Sequence, residues 1–332
     1  MTWRGFVAAC AIVASTACHR STIAHTLGDQ DFWRLIETLS EPPGSFTISD
    51  NLVSNEPHVA ENARRLGPTG GVYIGVGPEQ NFSYIARVRP AMAFIVDIRR
   101  ENRDLHLLYK ALFEISADRI EFVSRLFSRP RLTDLGRRAS AAEIFNAFAG
   151  VSPSPELHSQ TLALVRDRLL TTHRFPVSAE EFDSMARALK AFYTDGPEIR
   201  FYRSADVRAV QPTYRQLMTI RDGYAQERSF LSDEDAFGTV KDLHQRNMIV
   251  PIVGDFGGPT ALRRVGDYVR QRADVVQAFY GSNVQVYLTN RQAHAFCGNL
   301  AALPAAPATS FIERDGVRTL ASRLKDCRPD LR

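Results

Sequence analysis

The chain has 332 residues, 44% of them apolar and 23% charged, which suits about two domains, or one large α/β domain with additions. Such a composition excludes disordered, collagen-like and disulfide-miniprotein classes. The net charge of +4, from 41 basic and 37 acidic residues spread along the chain, indicates no nucleic acid partner.

Met1–Arg4 carries one positive charge, Gly5–Ala17 is small and apolar, and His19 and Arg20 restore polarity. This is the pattern of a secretory signal, with an apolar core too short to span a bilayer comfortably. Ser15-Thr16-Ala17-Cys18 resembles a bacterial lipobox, with Ser15 where an aliphatic residue is usual. In that reading residues 1–18 are a signal peptide and Cys18 is acylated. The protein is then exported, either to the periplasm or to the cell envelope as a lipoprotein that meets the membrane only through its lipid. The alternative is ordinary cleavage with Cys18 as a bystander. An oxidising compartment permits a disulfide between Cys297 and Cys327; two unrelated thiols are the alternative. No Cys-x-x-Cys and no His-Glu-x-x-His occurs, so no metal is expected.

Residues 19–47 read as a polar tether followed by a short amphipathic helix at Asp31–Leu39, broken by Glu41-Pro42-Pro43-Gly44. Residues 48–128 read as the first half of an α/β domain. After a turn-rich loop (Ile48–Glu56) and a helix at Glu56–Leu66, the run Val72–Val76 reads as a strand. It ends in Gly75-Val76-Gly77, and Pro78 and Glu79 open a helix. A second strand, Met92–Val96, closes on Asp97, about 20 residues after the glycines. Strand, glycine turn, helix and acid-tipped strand make the layout of a nucleotide-binding unit. Glycines let backbone approach a ligand, the helix start offers free N–H groups, and the carboxylate can accept from ribose hydroxyls. The competing reading is a tight turn with Asp97 capping the next helix.

Asn102–Phe127 is strongly helical, and His106, Lys110 and Glu114 fall on one face that reads as a solvated charged row. Residues 129–200 read as a helical insertion, with helices at Ser140–Ala149, Ser154–Leu170 and Ser178–Phe192. Residues 201–315 read as the second half of the domain. Ile199–Tyr202 is a candidate short strand, and helices are expected at Tyr214–Gln226 and Asp233–Gln245. A second strand–turn–helix–strand unit runs Met248–Val253, Gly254-Asp255-Phe256-Gly257-Gly258, Pro259 onward and Asp274–Tyr280. Asp255 and Asn283 are candidate substrate-side residues, with turn chemistry as the competing reading for both. Phe311–Glu313 is a candidate terminal strand, and residues 316–332 read as a C-terminal tail.

Together, Gly75–Ile85, Asp97–Arg100, His106–Glu114, Ile249–Gly258 and Ala278–Leu288 resemble a family of uncharacterised bacterial proteins that looks like a variant of the class I S-adenosylmethionine-dependent methyltransferases. The resemblance implies a Rossmann-like, mostly parallel sheet with flanking helices and a helical insertion. It implies that Gly75, Gly77 and the helix start at Glu79 and Asn81 hold the methionine part of S-adenosylmethionine, and Asp97 the ribose. It sets Asp255 at the tip of the fourth strand, facing substrate. Pro78-Glu79 stands where small residues are usual, and Arg99 and Arg100 follow Asp97 just past Ile98.

Two functions compete. One is binding of S-adenosylmethionine or another nucleotide-like small molecule, with methyl transfer if the protein is an enzyme; Asp255, Glu79 and Tyr280 are then the candidate catalytic groups. The other is a non-catalytic envelope lipoprotein or binding module that keeps the fold without the chemistry. Export favours the second, because S-adenosylmethionine is expected in the cytoplasm.

Overall fold

The computed structural model describes residues 21–46, 51–201 and 211–327. Cys10, Cys18 and the expected signal peptide lie outside the described residues.

The core is one six-stranded sheet in the order β3-β2-β1-β4-β5-β6. Its strands are β1 (Val72–Gly75), β2 (Met92–Asp97), β3 (Ile249–Val253), β4 (Val276–Ser282), β5 (Ala305–Glu313) and β6 (Gly316–Thr319). β1 to β5 run parallel and β6 is antiparallel to β5. β1, β2 and β3 are buried at every position. That is why they read as unbroken apolar runs with no alternation: helices cover both faces of a parallel sheet. Pro251 interrupts no ladder, because β3 is the outermost strand and pairs only with β2. The sheet is therefore α/β, mostly parallel and Rossmann-like, as expected.

The helices are α1 (Asp29–Leu39), α2 (Val59–Arg64), α3 (Gln80–Val88), α4 (Arg100–Ile115), α5 (Arg119–Leu126), α6 (Ala141–Ala149), α7 (Pro155–Arg166), α8 (Ala179–Asp195), α9 (Tyr214–Thr219), α10 (Glu234–Gln245), α11 (Ala261–Gln271), α12 (Asn290–Ala301) and α13 (Leu320–Lys325). The insertion consists of α6 to α8, with α7 running on into a π-helical turn at Asp167–Thr172. Ser140 and Ser178 open α6 and α8 with reciprocal capping boxes to Glu143 and Glu181. No helix among the described residues is long and apolar enough to cross a membrane.

Several expectations need correction. The helical stretch at 102–127 is two helices, because Asp118 accepts from the Glu121 amide and starts a new one. The helix expected over Tyr214–Gln226 stops at Thr219, where Asp222 accepts from the amides of Tyr224 and Gln226 and folds a turn. Ile199–Tyr202 is not a strand: Arg200 makes a single bridge to Thr213, and Tyr202 lies outside the described residues. Residues 21–28 are not a free tether, since the amides of Thr22 and Leu27 donate to the carbonyls of Arg272 and Arg246. Nor is the C-terminal stretch a tail. It contributes β6 and α13, and a disulfide joins Cys297 of α12 to Cys327, with Cα atoms 5.6 Å apart.

The row His106, Lys110, Glu114 is buried, not solvated. The face that carries these residues has protein on it: the Gly77 turn at His106, the His244–Asn247 segment and Phe32 at Lys110, and His173 of the insertion at Glu114. Lys110 Nζ donates to Glu114, the His244 carbonyl and Asn247. Glu114 also meets His173 at 2.7 Å, and His173 meets Asp29 at 2.8 Å. The charges that suggested solvent are paired inside the protein, while His106 Nδ1 has no hydrogen-bond partner among the described residues.

Candidate functional site

A cavity of about 340 Å³ opens at the C-terminal ends of β1 to β4. In an open α/β sheet ligands bind at this edge, beside the point where strand order reverses. Here the reversal falls between β1 and β4. Of the residues singled out from sequence, Gly77, Asp97, Asp255, Tyr280 and Asn283 line the cavity, whereas Gly75, Glu79 and Asn81 do not.

Those three build the glycine turn from behind. A Cβ on Gly75 would lie 1.9 Å from Asn81 Oδ1 and 2.7 Å from the Tyr73 ring, so glycine is required for packing. Asn81 Nδ2 donates to the carbonyls of Val76, Gly77 and Pro78, and its Oδ1 accepts from Tyr73. Glu79 is fully buried and accepts from the Ser54 amide on both oxygens, at 3.1 and 3.2 Å. Burial pushes its carboxyl up to about 8 against that hydrogen bond, so at neutral pH it is uncharged and sealed from the cavity. Gly77 has φ of +75° and no atom within 4 Å of where a Cβ would stand, so its open backbone faces the cavity. From below, His106 Nε2 lies 2.9 Å from the Gly77 carbonyl. Burial holds this histidine at about 4 despite that bond, so it is neutral and donates.

Asp97 ends β2 beside a guanidinium. Its Oδ1 accepts from the Arg99 amide at 2.9 Å and Nε at 3.1 Å, and its Oδ2 from Nη2 at 3.2 Å. A carboxylate has about four acceptor positions. Oδ1 is filled and Oδ2 keeps one, so Asp97 can take one ligand hydroxyl, not both hydroxyls of a diol.

Asp255 follows β3, the third strand in the chain and the outermost in the sheet, not the fourth strand expected. The tip of the fourth is Ser282-Asn283. Asp255 accepts from the Gly257 amide at 2.8 Å and from Gln292 at 2.9 Å, so turn chemistry and cavity lining coincide in one residue. The adjoining start of α11 already holds an anion: Glu41 accepts from the amides of Thr260, Ala261 and Asp255. Burial would raise this carboxyl, but the Ala261 and Thr260 amides outweigh it and hold it below its ordinary value.

Sequence reasoning missed Asn51, Ser54 and Glu56 on the wall and Phe46 at one side of it, where Arg99 and Tyr287 also stand. The Phe46 and Tyr287 rings meet edge-on with centroids 5.0 Å apart. Asn51 Oδ1 is buried with no hydrogen-bond partner among the described residues. Nothing in the Ile48–Glu56 loop marks these positions locally; the fold brings them to the cavity.

This wall fits the nucleoside part of S-adenosylmethionine in size, in its open glycine backbone and in its unmet Asn51 acceptor. It fits less well at the ribose, where Arg99 competes for Asp97. Pro78 also removes one N–H from the turn that would hold the methionine part.

Comparison with known families places the chain. It belongs to the family described as Domain of unknown function (DUF7790), whose model matches residues 51–323. No curated protein matches the chain.

Proposed function

We propose that this protein is exported and binds a nucleoside-like small molecule, S-adenosylmethionine or a nucleotide-like relative, in the cavity at the C-terminal edge of its sheet. The observation that carries the reading is convergence. Gly77, Asp97, Asp255 and Asn283, drawn from four separate turns, meet at one cavity that also holds the unmet acceptor of Asn51. S-adenosylmethionine would bring a transferable methyl group. The chain's own residues would position the ligand: the Gly77 backbone beside it and one free Oδ2 position of Asp97 on a hydroxyl.

The occupancy of the candidate catalytic groups favours binding without chemistry. Glu79 is sealed away from the cavity, Asp255 holds its own turn, and burial raises the Tyr280 hydroxyl well above its ordinary value. The cysteine pattern supports export, and acylation of Cys18 belongs to the same proposal.

Titration calorimetry of the purified protein with S-adenosylmethionine, S-adenosylhomocysteine and adenosine tests the site. Binding of at least one, weakened by Asp97→Ala, is expected; no heat from any at millimolar concentration refutes it. Labelled palmitate incorporation that persists in Cys18→Ser refutes the anchor.

A further inference from the structure

Glu56 is the group on the cavity wall that neither the glycine turn nor the Asp97 pair explains. It is 2% exposed. Ser282 Oγ donates to Oε1, Gln80 Nε2 donates to Oε2 at 2.8 Å, and the Tyr280 hydroxyl stands beside it. The Gln80 carbonyl accepts from Ser54, and its second N–H reaches Tyr84 at 2.8 Å. Ser282 adopts φ of +49°, a left-handed backbone unusual for a residue with a side chain. Strain of that kind persists only where surrounding structure enforces it, and here it accompanies the Ser282 hydroxyl's bond to Glu56.

All of these donors are neutral. Among the described residues, no basic side chain stands within ion-pair distance of Glu56, whereas buried Asp97, Asp104 and Glu114 each have one. A buried carboxylate without a counter-ion is costly, and burial raises Glu56 above its ordinary value, with Arg314 giving only a weak opposing pull. Among the described residues, the wall carries three carboxyl groups, on Glu56, Asp97 and Asp255, against the one guanidinium of Arg99. The neighbouring anion site at the start of α11 is filled by Glu41.

We propose that Glu56 receives a positively charged amine of the bound ligand, so that the cavity selects a cationic nucleoside-like molecule over neutral and phosphorylated ones. This rests on the cavity being the ligand site. Ser282, Gln80 and Tyr280 position the carboxylate, and the ligand's ammonium is the missing counter-ion.

Three adenosine derivatives that differ only at the 5′ carbon test it at neutral pH: 5′-amino-5′-deoxyadenosine, neutral 5′-deoxyadenosine and adenosine 5′-monophosphate. Calorimetry on the wild-type protein should rank them in that order. A charge-assisted hydrogen bond corresponds to a preference of roughly tenfold to a hundredfold for amine over neutral. Glu56→Gln should erase that preference, and Glu56→Asp should retain part of it. Equal binding of amine and neutral derivatives, or a preference that survives in Glu56→Gln, overturns the proposal and leaves the cavity reading intact. Binding of none of the three overturns both. If Glu56→Gln fails to fold by circular dichroism, the wild-type ranking decides alone.

Discussion

Breaking the bond between Cys297 and Cys327 should lower stability by about 3.5 kcal/mol. The two cysteines are 30 residues apart in sequence. Releasing a loop of that length returns roughly 12 cal/mol/K of chain entropy to the unfolded state, which at 25 °C gives about 3.5 kcal/mol. The loop contains β5, β6 and α13, with Phe311, Ile312 and Leu320 in the core. Other contacts hold the same geometry: Arg323 donates to Gln285 at 3.0 Å and lies over the Phe296 and Phe311 rings. The folded structure should therefore survive the loss, and the effect should appear as a lower urea midpoint. Cys297→Ser, Cys327→Ser and the double variant should lose the same amount, because each removes the same covalent link. The assay is equilibrium urea unfolding, alongside mass spectrometry of the unreduced digest to detect the linked peptides. A double variant within about 1 kcal/mol of wild type, or the absence of the linked peptide, would refute the reasoning.

Glu79→Gln should change the pH dependence of stability. Folded Glu79 keeps its proton to about pH 8, while the unfolded carboxyl ionises near 4.5. Between those values the wild type should lose about 1.4 kcal/mol per pH unit relative to the variant; urea unfolding curves from pH 5 to 8 that keep a constant gap contradict this. Gly75→Ala forces a methyl against Asn81 and Tyr73 and should cost about 1–3 kcal/mol, seen as a lower melting temperature; an unchanged melt would show that the turn is looser than described. Glu114→Gln leaves Lys110 buried without its anion and should cost about 3–5 kcal/mol. Lys110→Met in the same chain should restore part of it, and a double variant as unstable as the sum of the singles removes the coupling.

The parallel sheet was legible because burial on both faces leaves strands such as Met92–Val96 with no polar position to confuse the reading. Gly77 and Asp97 were legible because backbone openness and a strand-tip acid both leave local marks. Gly75 and Asn81 were placed at the correct turn but on its wrong side. A glycine required by a side chain behind it reads the same as one required by a ligand in front. Lys110 and Glu114 misled because a charged face suggests water, and only the packing of distant segments against α4, the His244–Asn247 stretch at Lys110 and His173 at Glu114, shows that the face is covered. Glu56 was hidden for the opposite reason: its loop has no periodicity, and its partners Gln80 and Ser282 lie far along the chain.

The first described residues fix a direction. Thr22 pairs with Arg272 and Ser21 with Asp274, both just ahead of β4, and Leu27 pairs with Arg246 just ahead of β3. The chain thus enters along the edge where the parallel strands begin, and the cavity lies where they end. A five-residue strand separates the two edges by roughly 17 Å. If Cys18 carries a lipid, as proposed, the bilayer would lie on the side of the entry edge and the cavity mouth would face away from it. Its occupant would then arrive from the aqueous side, so the protein would sample the fluid of its compartment and not the membrane that carries it.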